Sequence, residues 1–409
     1  MDFAAVPLRG HRSAERRARP TLAMASLALR GAAALALCLT PPCFGGPARP
    51  PTRLDRRLGR RIDALAKKAR GEMRRAAPGL AVMVVRDGVV VHAKGYGRAA
   101  LKPARSITRA TPFRLASVTK QFTCMAILKL AEEGKLSVDD AALDYVPSLA
   151  RFGRGVTIRR LMQHTSGLPD YYAELGRRKY KVPSVDDDPL LTAADVSALY
   201  KGWGELSFAP GARYSYSNPG YEQLALVIQK VSGRSYGDYL RRALLAPAGM
   251  KTAVPRDRPE RVIPRRAIGY RKGADGGYEE LDDHRANWIV GAGCLYASLD
   301  DLYYWDRALR EDRLVSSATK AQAFSPGTLE GGRSTGYGFG WWINEHCGRR
   351  RVEHGGVWVG FRTTIKRYPD DGVTVVVLAN WAGAKPAGLA DKIATDVFAD
   401  RPPAKKRGG

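Results

Sequence analysis

Residues 117–133 read SVTKQFTCMAILKLAEE and combine a pair of reactive residues with the start of a predicted helix. The stretch begins with a Ser-x-x-Lys pattern, Ser117 to Lys120, and continues as an apolar run with Phe122, Met125 and Leu128 at helical spacing. The pattern predicts a buried helix over 121–133 whose beginning faces a cleft. On such a helix the side chains of residues 117 and 120 lie one turn apart on the same face.

A lysine in that position can activate a serine hydroxyl. If burial or nearby positive charge makes the neutral form of Lys120 accessible, its amine can act as a base toward Ser117. The start of the helix also offers unpaired backbone N–H groups, so the Ser117 N–H is the first candidate donor to an oxyanion. A second Ser-x-x-Lys, Ser317 to Lys320, lies in a short charged stretch, and we interpret Ser317 as a surface serine.

A second motif, YSYSNPGY over residues 214–221, precedes a predicted helix over 221–231. Tyr216 can act as a proton shuttle or general base if Lys120 lowers its pKa, and Asn218 can donate to a substrate carbonyl. The alternative is a packed tyrosine and an asparagine that serves the turn. The motif alone does not decide between these interpretations, and only its combination with Ser117 and Lys120 favours the catalytic one.

A third motif, EHGGVWVGF over residues 353–361, ends a predicted strand. Its glycines, Gly356 among them, let backbone and substrate approach closely. A substrate can then lie along the strand, with the Val357 N–H as second oxyanion donor and His354 beside the nucleophile. The alternative is a glycine-rich bulge with a surface histidine.

Other reactive residue types are interpreted as structural. His164 and Asp170 suggest a Ser/His/Asp triad, but the chain has no Gly-x-Ser-x-Gly elbow to support one, so we interpret His164 as holding its loop. Cys124 lies in the apolar helix and is expected in the core. No His or Cys cluster has metal-ligand spacing, so no metal site is predicted.

The secondary-structure pattern predicts strands at both ends of the chain and helices between them. A basic amphipathic helix over 53–75 is followed by a hairpin with an Asp-Gly turn, 80–85 and 89–92. Strands return near the C-terminus, and Pro386 precedes a closing helix. The predicted C-terminal strands are 338–343, 351–354, 363–368 and 373–378. The predicted helices are 121–133, 193–200, 221–231 and 387–398.

The expected fold is therefore α+β, an α/β sandwich in which helices flank one antiparallel sheet built from both chain ends. A mainly helical domain is inserted, and a cleft suited to a small molecule lies at the junction. The predicted organisation is a signal peptide and leader over 1–48, a sheet-containing part over 49–115 and 295–400, a mainly helical part over 116–294, and a basic tail over 401–409.

Ser-x-x-Lys, Tyr-x-Asn and His-x-Gly, in this order, resemble the class C β-lactamase-like family of serine hydrolases and penicillin-binding proteins. The similarity runs from about Pro78 to about Asn380 and includes the stretches 161–169, 291–298 and 337–341. It implies a β-lactamase/transpeptidase-like fold and the activity of a β-lactamase, D-alanyl-D-alanine carboxypeptidase or esterase.

By that resemblance Ser117 is the nucleophile, Lys120 and Tyr216 form the proton-transfer pair, and Asn218 and His354 face the substrate. His354 departs from dedicated β-lactamases, which carry a lysine there, and this weakens β-lactams as natural substrates. Arg362 is the candidate to restore the missing charge. Ester, peptide, lactone and β-lactam substrates remain open, as does the acyl acceptor.

The expected function is a cofactor-free serine hydrolase that forms an acyl-enzyme on Ser117 and cleaves a small-molecule or peptide acyl substrate. The alternative is a non-catalytic protein of the same fold that captures cell-wall peptides or acyl groups. Retention of Ser117, Lys120, Tyr216 and Asn218 together argues against the alternative, because a site without turnover has no chemical need for that set. The sequence leaves the oligomeric state open.

The 409-residue chain carries a formal net charge of +27, yet its basic residues are spread along the chain without a nucleic-acid-binding motif. We therefore expect a basic surface and no nucleic-acid partner. Arginines precede an apolar run from Leu22 to Thr40, which is typical of a signal peptide and predicts an exported, periplasmic or secreted protein. Met24 is an alternative start, and no stable membrane span is expected after cleavage.

Overall fold

The sheet at the centre of the fold is built from both ends of the chain. The computed structural model describes residues 52–71, 76–170, 192–202, 204–282 and 285–399. In chain order, the strands of these residues are β1 (Leu80–Arg86), β2 (Val89–Tyr96), β3 (Arg98–Ala100), β4 (Arg105–Ser106), β5 (Phe113–Arg114), β6 (Val254–Pro255), β7 (Tyr270–Lys272), β8 (Tyr278–Glu280), β9 (Leu295–Ala297), β10 (Trp342–His346), β11 (Arg349–Trp358), β12 (Phe361–Tyr368) and β13 (Val373–Ala379).

Six of these strands form one antiparallel sheet in the order β10-β11-β12-β13-β1-β2. The two ends of the chain join between β1 and β13, where Leu80 pairs with Ala379 and Arg86 with Val373. Both strands are buried along almost their whole length. Continuous apolar runs such as LAVMVV and VTVVVLA therefore reflect a sheet covered on both faces.

The α-helices of the described residues are α1 (Arg53–Arg70), α2 (Lys120–Glu132), α3 (Ile158–Met162), α4 (Ala193–Leu199), α5 (Asn218–Ser232), α6 (Tyr236–Leu240), α7 (Ala246–Ala248), α8 (Leu299–Arg310), α9 (Ser317–Ala323) and α10 (Pro386–Phe398). A capping box between Thr52 and Asp55 starts α1, and Gly71, with φ 56°, ends it. None of the helices in the described ranges is long and apolar enough to cross a membrane.

Alternation along the strands gives the sheet two different apolar faces. Leu80, Val82 and Val377 belong to a cluster with α1 and α10, which pack against each other on one side. Ala81 and Val376 belong to the larger core on the other side, which contains α2, α5 and α8. The helical middle of the chain thus packs on one face only, and α1 and α10 cover the other.

These observations confirm the predicted α+β fold and the order helix, strand, strand at its start. The predicted strand over 338–343 is wrong at its beginning, because β10 starts at Trp342 and Gly340 takes a positive φ of 79°. The α1 helix stops at Arg70 rather than at residue 75. The leader, the tail and residues 171–191 lie outside the described residues, and the domain boundaries stay predictions.

Candidate active site

Ser117 lies where a short strand turns into the central helix. Strand β5 ends at Arg114, a 3₁₀ turn spans Ala116–Thr119, and α2 follows directly. Ala116 is buried in a left-handed conformation with φ 49°, which is uncommon for a residue with a side chain. Strain of this kind clusters at functional sites, where surrounding contacts hold the backbone in place.

Leu115 provides those contacts from two directions. Its N–H donates to Leu295 O at 2.8 Å, and its carbonyl accepts a hydrogen bond from Thr363 Oγ1 at 2.7 Å. Gly356 packs here as well, because a Cβ at that position would lie 2.2 Å from Leu115 O. Gly356 of the third motif is therefore needed for the close approach of β11 to the backbone beside Ser117.

Lys120 is fully buried and its Nζ points back at the serine. It donates to Ser117 Oγ at 3.2 Å, to Asn218 Oδ1 at 2.8 Å and to the carbonyl of Ala292 at 3.2 Å. The nitrogen also lies 4.8 Å from the ring centroid of Tyr216. Around Lys120 the structure thus brings together four residues from the first two motifs and the stretch 291–298, namely Ser117, Tyr216, Asn218 and Ala292.

The surroundings of Lys120 favour its neutral form. Burial lowers the pKa of Lys120 to about 7, although the carboxylates of Glu222 and Asp170 act in the opposite direction. A large fraction of the amine is therefore unprotonated at neutral pH. An unprotonated amine 3.2 Å from a hydroxyl can accept its proton.

The condition under which Tyr216 would act as a general base, a pKa lowered by Lys120, is not met. Burial raises the pKa of Tyr216 well above its ordinary value, and a hydrogen bond with the Ser117 side chain opposes this only in part. The phenol therefore stays protonated at neutral pH. The environments of the two predicted proton-transfer residues thus act in opposite ways: burial favours the neutral amine of Lys120 and the protonated phenol of Tyr216.

His164 holds the Tyr216 loop, in the structural role that the sequence indicated. Its Nδ1 accepts a hydrogen bond from the Ser217 N–H at 3.0 Å, and its carbonyl accepts one from the Ser215 N–H at 2.9 Å. The imidazole is buried and packs 4.3 Å, centroid to centroid, from the Tyr216 ring. Burial holds the pKa of His164 well below its usual value, so the ring is neutral.

His354 is inside the protein rather than at its surface. Its side chain lies 3.0 Å from the Tyr337 hydroxyl through Nε2 and 2.6 Å from Gly355 O through Nδ1. These partners fit a neutral ring that donates from Nδ1 and accepts from Tyr337. Burial lowers the pKa of His354 to about 3, helped by the positive charge of Lys120. Its predicted contact with substrate stays a prediction, and the bonds observed here position β11.

The Arg362 guanidinium is engaged at the end of the β11–β12 hairpin. Its Nη1 donates to the carbonyls of Val359 and Phe361 at 2.9 and 2.7 Å. In the sheet Arg362 stands opposite Val357. These bonds hold its guanidinium at the hairpin end, and its role in restoring the charge that His354 lacks stays a prediction.

Ser117 opens into a small cavity of about 40 Å³. The side chain of Val357, at 65% exposure, stands at its wall, which places the predicted second oxyanion donor on the same cavity as the nucleophile. The cavity-lining residues are Arg114, Ala116, Ser117, Asn218, Glu222, Ile289, Ala292, Gly293, Val357 and Trp358. The described part of the chain contains no group of His, Cys, Asp and Glu side chains that could hold a metal ion.

Two charged residues of this cavity were missed by the sequence reasoning. Glu222 is 1% exposed and follows Asn218 by four residues on α5, so helical spacing from Asn218 could have found it. Arg114 is also 1% exposed and interrupts an apolar segment directly before Ser117. A charge in the middle of buried sequence was the available signal.

Arg114 ties three segments of the site together. Its Nε donates to Gly293 O at 3.0 Å, and its Nη1 donates to Asn287 Oδ1 at 2.6 Å. Asn287 Oδ1 also accepts from Trp358 Nε1 at 2.8 Å. The arginine therefore links the strand before Ser117, the loop behind Lys120 and the end of β11 beside Val357.

Comparison with known proteins agrees with this architecture. Residues 60–399 match the family described as Beta-lactamase. The chain is 34% identical over 312 residues to Penicillin-binding protein 4* of Bacillus subtilis (strain 168), a match that covers 73% of this chain and 67% of that protein. It is 32% identical over 307 residues to a D-aminopeptidase of Brucella ovis, covering 75% of this chain but only 57% of that enzyme.

A solved structure shares the fold. The octameric penicillin-binding protein homologue from Pyrococcus abyssi superposes with a TM-score of 0.71 at 29% sequence identity, covering 83% of this chain and 77% of that one. The family match over residues 60–399 contains the Ser117 turn, the Tyr216 loop and the end of β11. The chain therefore belongs to the β-lactamase family of serine hydrolases.

Proposed function

We propose that this protein is an acyl hydrolase that forms an acyl-enzyme on Ser117 and cleaves an ester, amide or peptide bond. The observation that carries the proposal is the 3.2 Å approach of a buried lysine nitrogen, with a pKa of about 7, to a serine hydroxyl on a cavity wall. A nucleophile and a base within hydrogen-bond reach are the minimal requirement for such a reaction.

In the proposed reaction cycle each group has one role. Neutral Lys120 takes the Ser117 proton as Oγ attacks the carbonyl carbon, and the N–H groups of Ser117 and Val357 receive the oxyanion. When the tetrahedral intermediate collapses, the Tyr216 hydroxyl gives its proton to the departing nitrogen or oxygen. The Lys120 ammonium then returns a proton to Tyr216, and water releases the acyl group from Ser117 in the second half of the cycle.

The relatives suggest which acyl groups to test first. A D-aminopeptidase is among the chains that are at least 30% identical to this one, and its name specifies D-amino-acid substrates. The match spans 57% of that enzyme, so its specificity comes to this chain only as a hypothesis. Amides and esters of D-amino acids are therefore the substrate class that we propose.

The decisive experiment compares D- and L-alanine p-nitroanilide, a neutral p-nitrophenyl ester and a chromogenic cephalosporin. We expect turnover of the ester and a preference for D-alanine over L-alanine, with an acyl adduct that intact-mass and peptide mapping place on Ser117. An adduct that accumulates without turnover would support the binding-protein alternative. Absence of any adduct on Ser117 with every probe would contradict the proposal.

A further inference from the structure

A second cavity shares none of its lining residues with the cavity at Ser117. It is a groove of about 480 Å³ between α1 and α10, over the face of the sheet that these helices cover. Its floor consists of Leu80, Val377 and Ala379, and its walls include Leu65, Trp381 and Leu389. The floor residues belong to strands β1 and β13 and are at most 2% exposed, so most of the accessible apolar lining comes from the walls.

This groove and the active-site cavity belong to opposite faces of the sheet. Leu80 and Val377 belong to the α1 and α10 cluster, whereas their neighbours Ala81 and Val376 belong to the core that contains α2. Successive side chains of a strand point to opposite faces. An occupant of the groove would therefore not contact Ser117, Lys120 or Tyr216.

Three lysines surround the apolar floor. Lys68 on α1, Lys385 before α10 and Lys392 on α10 line the groove and are exposed. Their side-chain nitrogens make no ion pair or hydrogen bond with the described residues, and no acidic side chain is among those that line the groove. Nearby, Arg61 on α1 pairs with Asp396 on α10, so acceptors do occur between these helices but not at the groove.

We propose that this groove binds a single-chain anionic amphiphile, with the alkyl chain on the apolar floor and the anionic headgroup among the three lysines. The volume falls within the roughly 300–1,000 Å³ of small-molecule sites, and an apolar pocket with a few convergent polar groups is the usual form of such a site. The lysines supply positive charge at the rim, where a headgroup stays in contact with water while its chain is buried.

An extended peptide fits the groove less well. Strands β1 and β13, which provide the floor, are paired on both sides within the sheet order β12-β13-β1-β2. They therefore present no free ladder of N–H and C=O groups for a peptide strand to join. An alkyl chain needs no such partners, which is why the apolar floor favours it.

The test measures binding of octanoate, decanoate and dodecanoate to the protein by calorimetry, below their micelle concentrations. We expect affinity to rise about fourfold for each added methylene that is buried. Decanol, which has the same chain without the charge, should bind more weakly than decanoate. An affinity that does not depend on chain length, or equal binding of decanol and decanoate, would overturn the proposal.

Substitutions localise the site. Gly388 lines the groove, and a Cβ built there meets nothing within 4 Å, so Gly388→Trp should fill the space without disturbing α10 and reduce decanoate binding at least tenfold. Gly331→Trp is the matched control, because that glycine also has open space around it but lies outside the groove. If both variants keep the fold by thermal melting and bind decanoate equally, the groove is not the site.

Charge is tested in the same way. Changing Lys68, Lys385 and Lys392 together to Gln should weaken decanoate binding on the order of tenfold, the combined effect expected of three exposed ion pairs. The control changes the exposed lysines 230, 251 and 272 and should bind as the parent protein does. Ser117→Ala should also bind normally, so loss of hydrolysis and loss of this site are separate outcomes. Equal binding by both lysine triple variants would contradict the assignment of the headgroup.

Discussion

The chain contains the same short pattern twice, and in only one copy does a buried lysine contact the serine. Ser117 and Lys120 span the junction of a 3₁₀ turn with α2, while Ser317 and Lys320 lie on α9, so the spacing is the same in both. Lys120 is fully buried and its Nζ donates to Ser117 Oγ. Spacing alone therefore does not create the contact between the lysine and the serine.

In the second copy, Ser317 and Lys320 each bind an aspartate, Asp312. The side chains of Ser317 and Lys320 both bind the Asp312 carboxylate, and Lys320 also donates to Leu309 O at 2.8 Å. Ser317 is exposed. Around Lys120, by contrast, the acceptors are a hydroxyl, an amide oxygen and a backbone carbonyl, all of them neutral. Burial among neutral acceptors is what makes an unprotonated lysine accessible.

Replacing each serine in turn should give the greatest difference in activity between the two copies. Ser117→Ala should abolish covalent labelling and reduce kcat/KM on the order of 10³-fold or more, because the nucleophile itself is lost. Ser317→Ala should leave both unchanged. Intact-mass labelling and steady-state kinetics on the ester substrate measure these effects, with thermal melting as the check on folding. Labelling of the Ser117→Ala protein at the parent level would show that the nucleophile is another residue.

Local sequence patterns were enough to predict the Ser117–Lys120 pair, but the long-range contacts around it could not be predicted from the sequence. The spacing of Ser117 and Lys120 and the apolar helix after them can be read along the sequence, and so can the surface position of Ser317. The pairing of Arg114 with Asn287 joins residues 173 positions apart and leaves no local signal. The inward orientation of His354 likewise depends on Tyr337, which reaches it from a separate segment.

The backbone of Ala116 and the pKa of Tyr216 were unpredictable for related reasons. An alanine before a helix gives no sign of a left-handed conformation, which here is imposed by contacts of its neighbours with β9 and β12. Proximity to Lys120 suggested a lowered pKa for Tyr216, but the extent of burial decides its direction and emerges only when the loop is packed. The sequence contains the reacting groups, and the packed structure determines their protonation.

Loss of either proton-transfer residue should have the next largest effect. Lys120→Ala and Tyr216→Phe should each lower kcat/KM on the order of 100-fold, the usual cost of losing a positioned base or acid. The double variant should lose far less than the product, since residues that act as a unit are strongly non-additive. Lys320→Ala serves as the matched control and should be fully active. Fully multiplicative losses would mean that Lys120 and Tyr216 act independently.

The pH dependence of kcat/KM should distinguish Lys120 from Lys320, with a smaller effect than the substitutions above. If neutral Lys120 is the base, kcat/KM rises about tenfold per pH unit below its pKa of about 7 and levels off above it. The sign follows from the lowered pKa, because the active form is the unprotonated one. The inflection should persist in Lys320→Ala and disappear from the residual activity of Lys120→Ala. A profile that falls as pH rises through 7 would exclude this role.

Changes in the hydrogen-bond network of Arg114, Asn287 and Trp358 should reduce activity least. This network lies beside Ser117, and the contacts described above for Ser317 and Lys320 include nothing like it. Trp358→Phe keeps an aromatic ring beside Arg114 but removes the indole N–H that donates to Asn287 Oδ1. Arg114 still binds that oxygen, so no buried acceptor is left without a partner, and the cost should be about 1 kcal/mol, or roughly fivefold.

Because Trp358 ends the strand that carries Val357, the loss should fall on kcat, where the oxyanion is held, with KM little changed. Trp288→Phe is the control: Trp288 adjoins Asn287 in the same 3₁₀ turn, but its ring packs on Arg256. Equal melting temperatures for the two variants, with a lower kcat only in Trp358→Phe, would show that this network positions the reacting groups beyond stabilising the fold. If kcat falls equally in both, or in neither, the indole N–H has no specific role at Ser117.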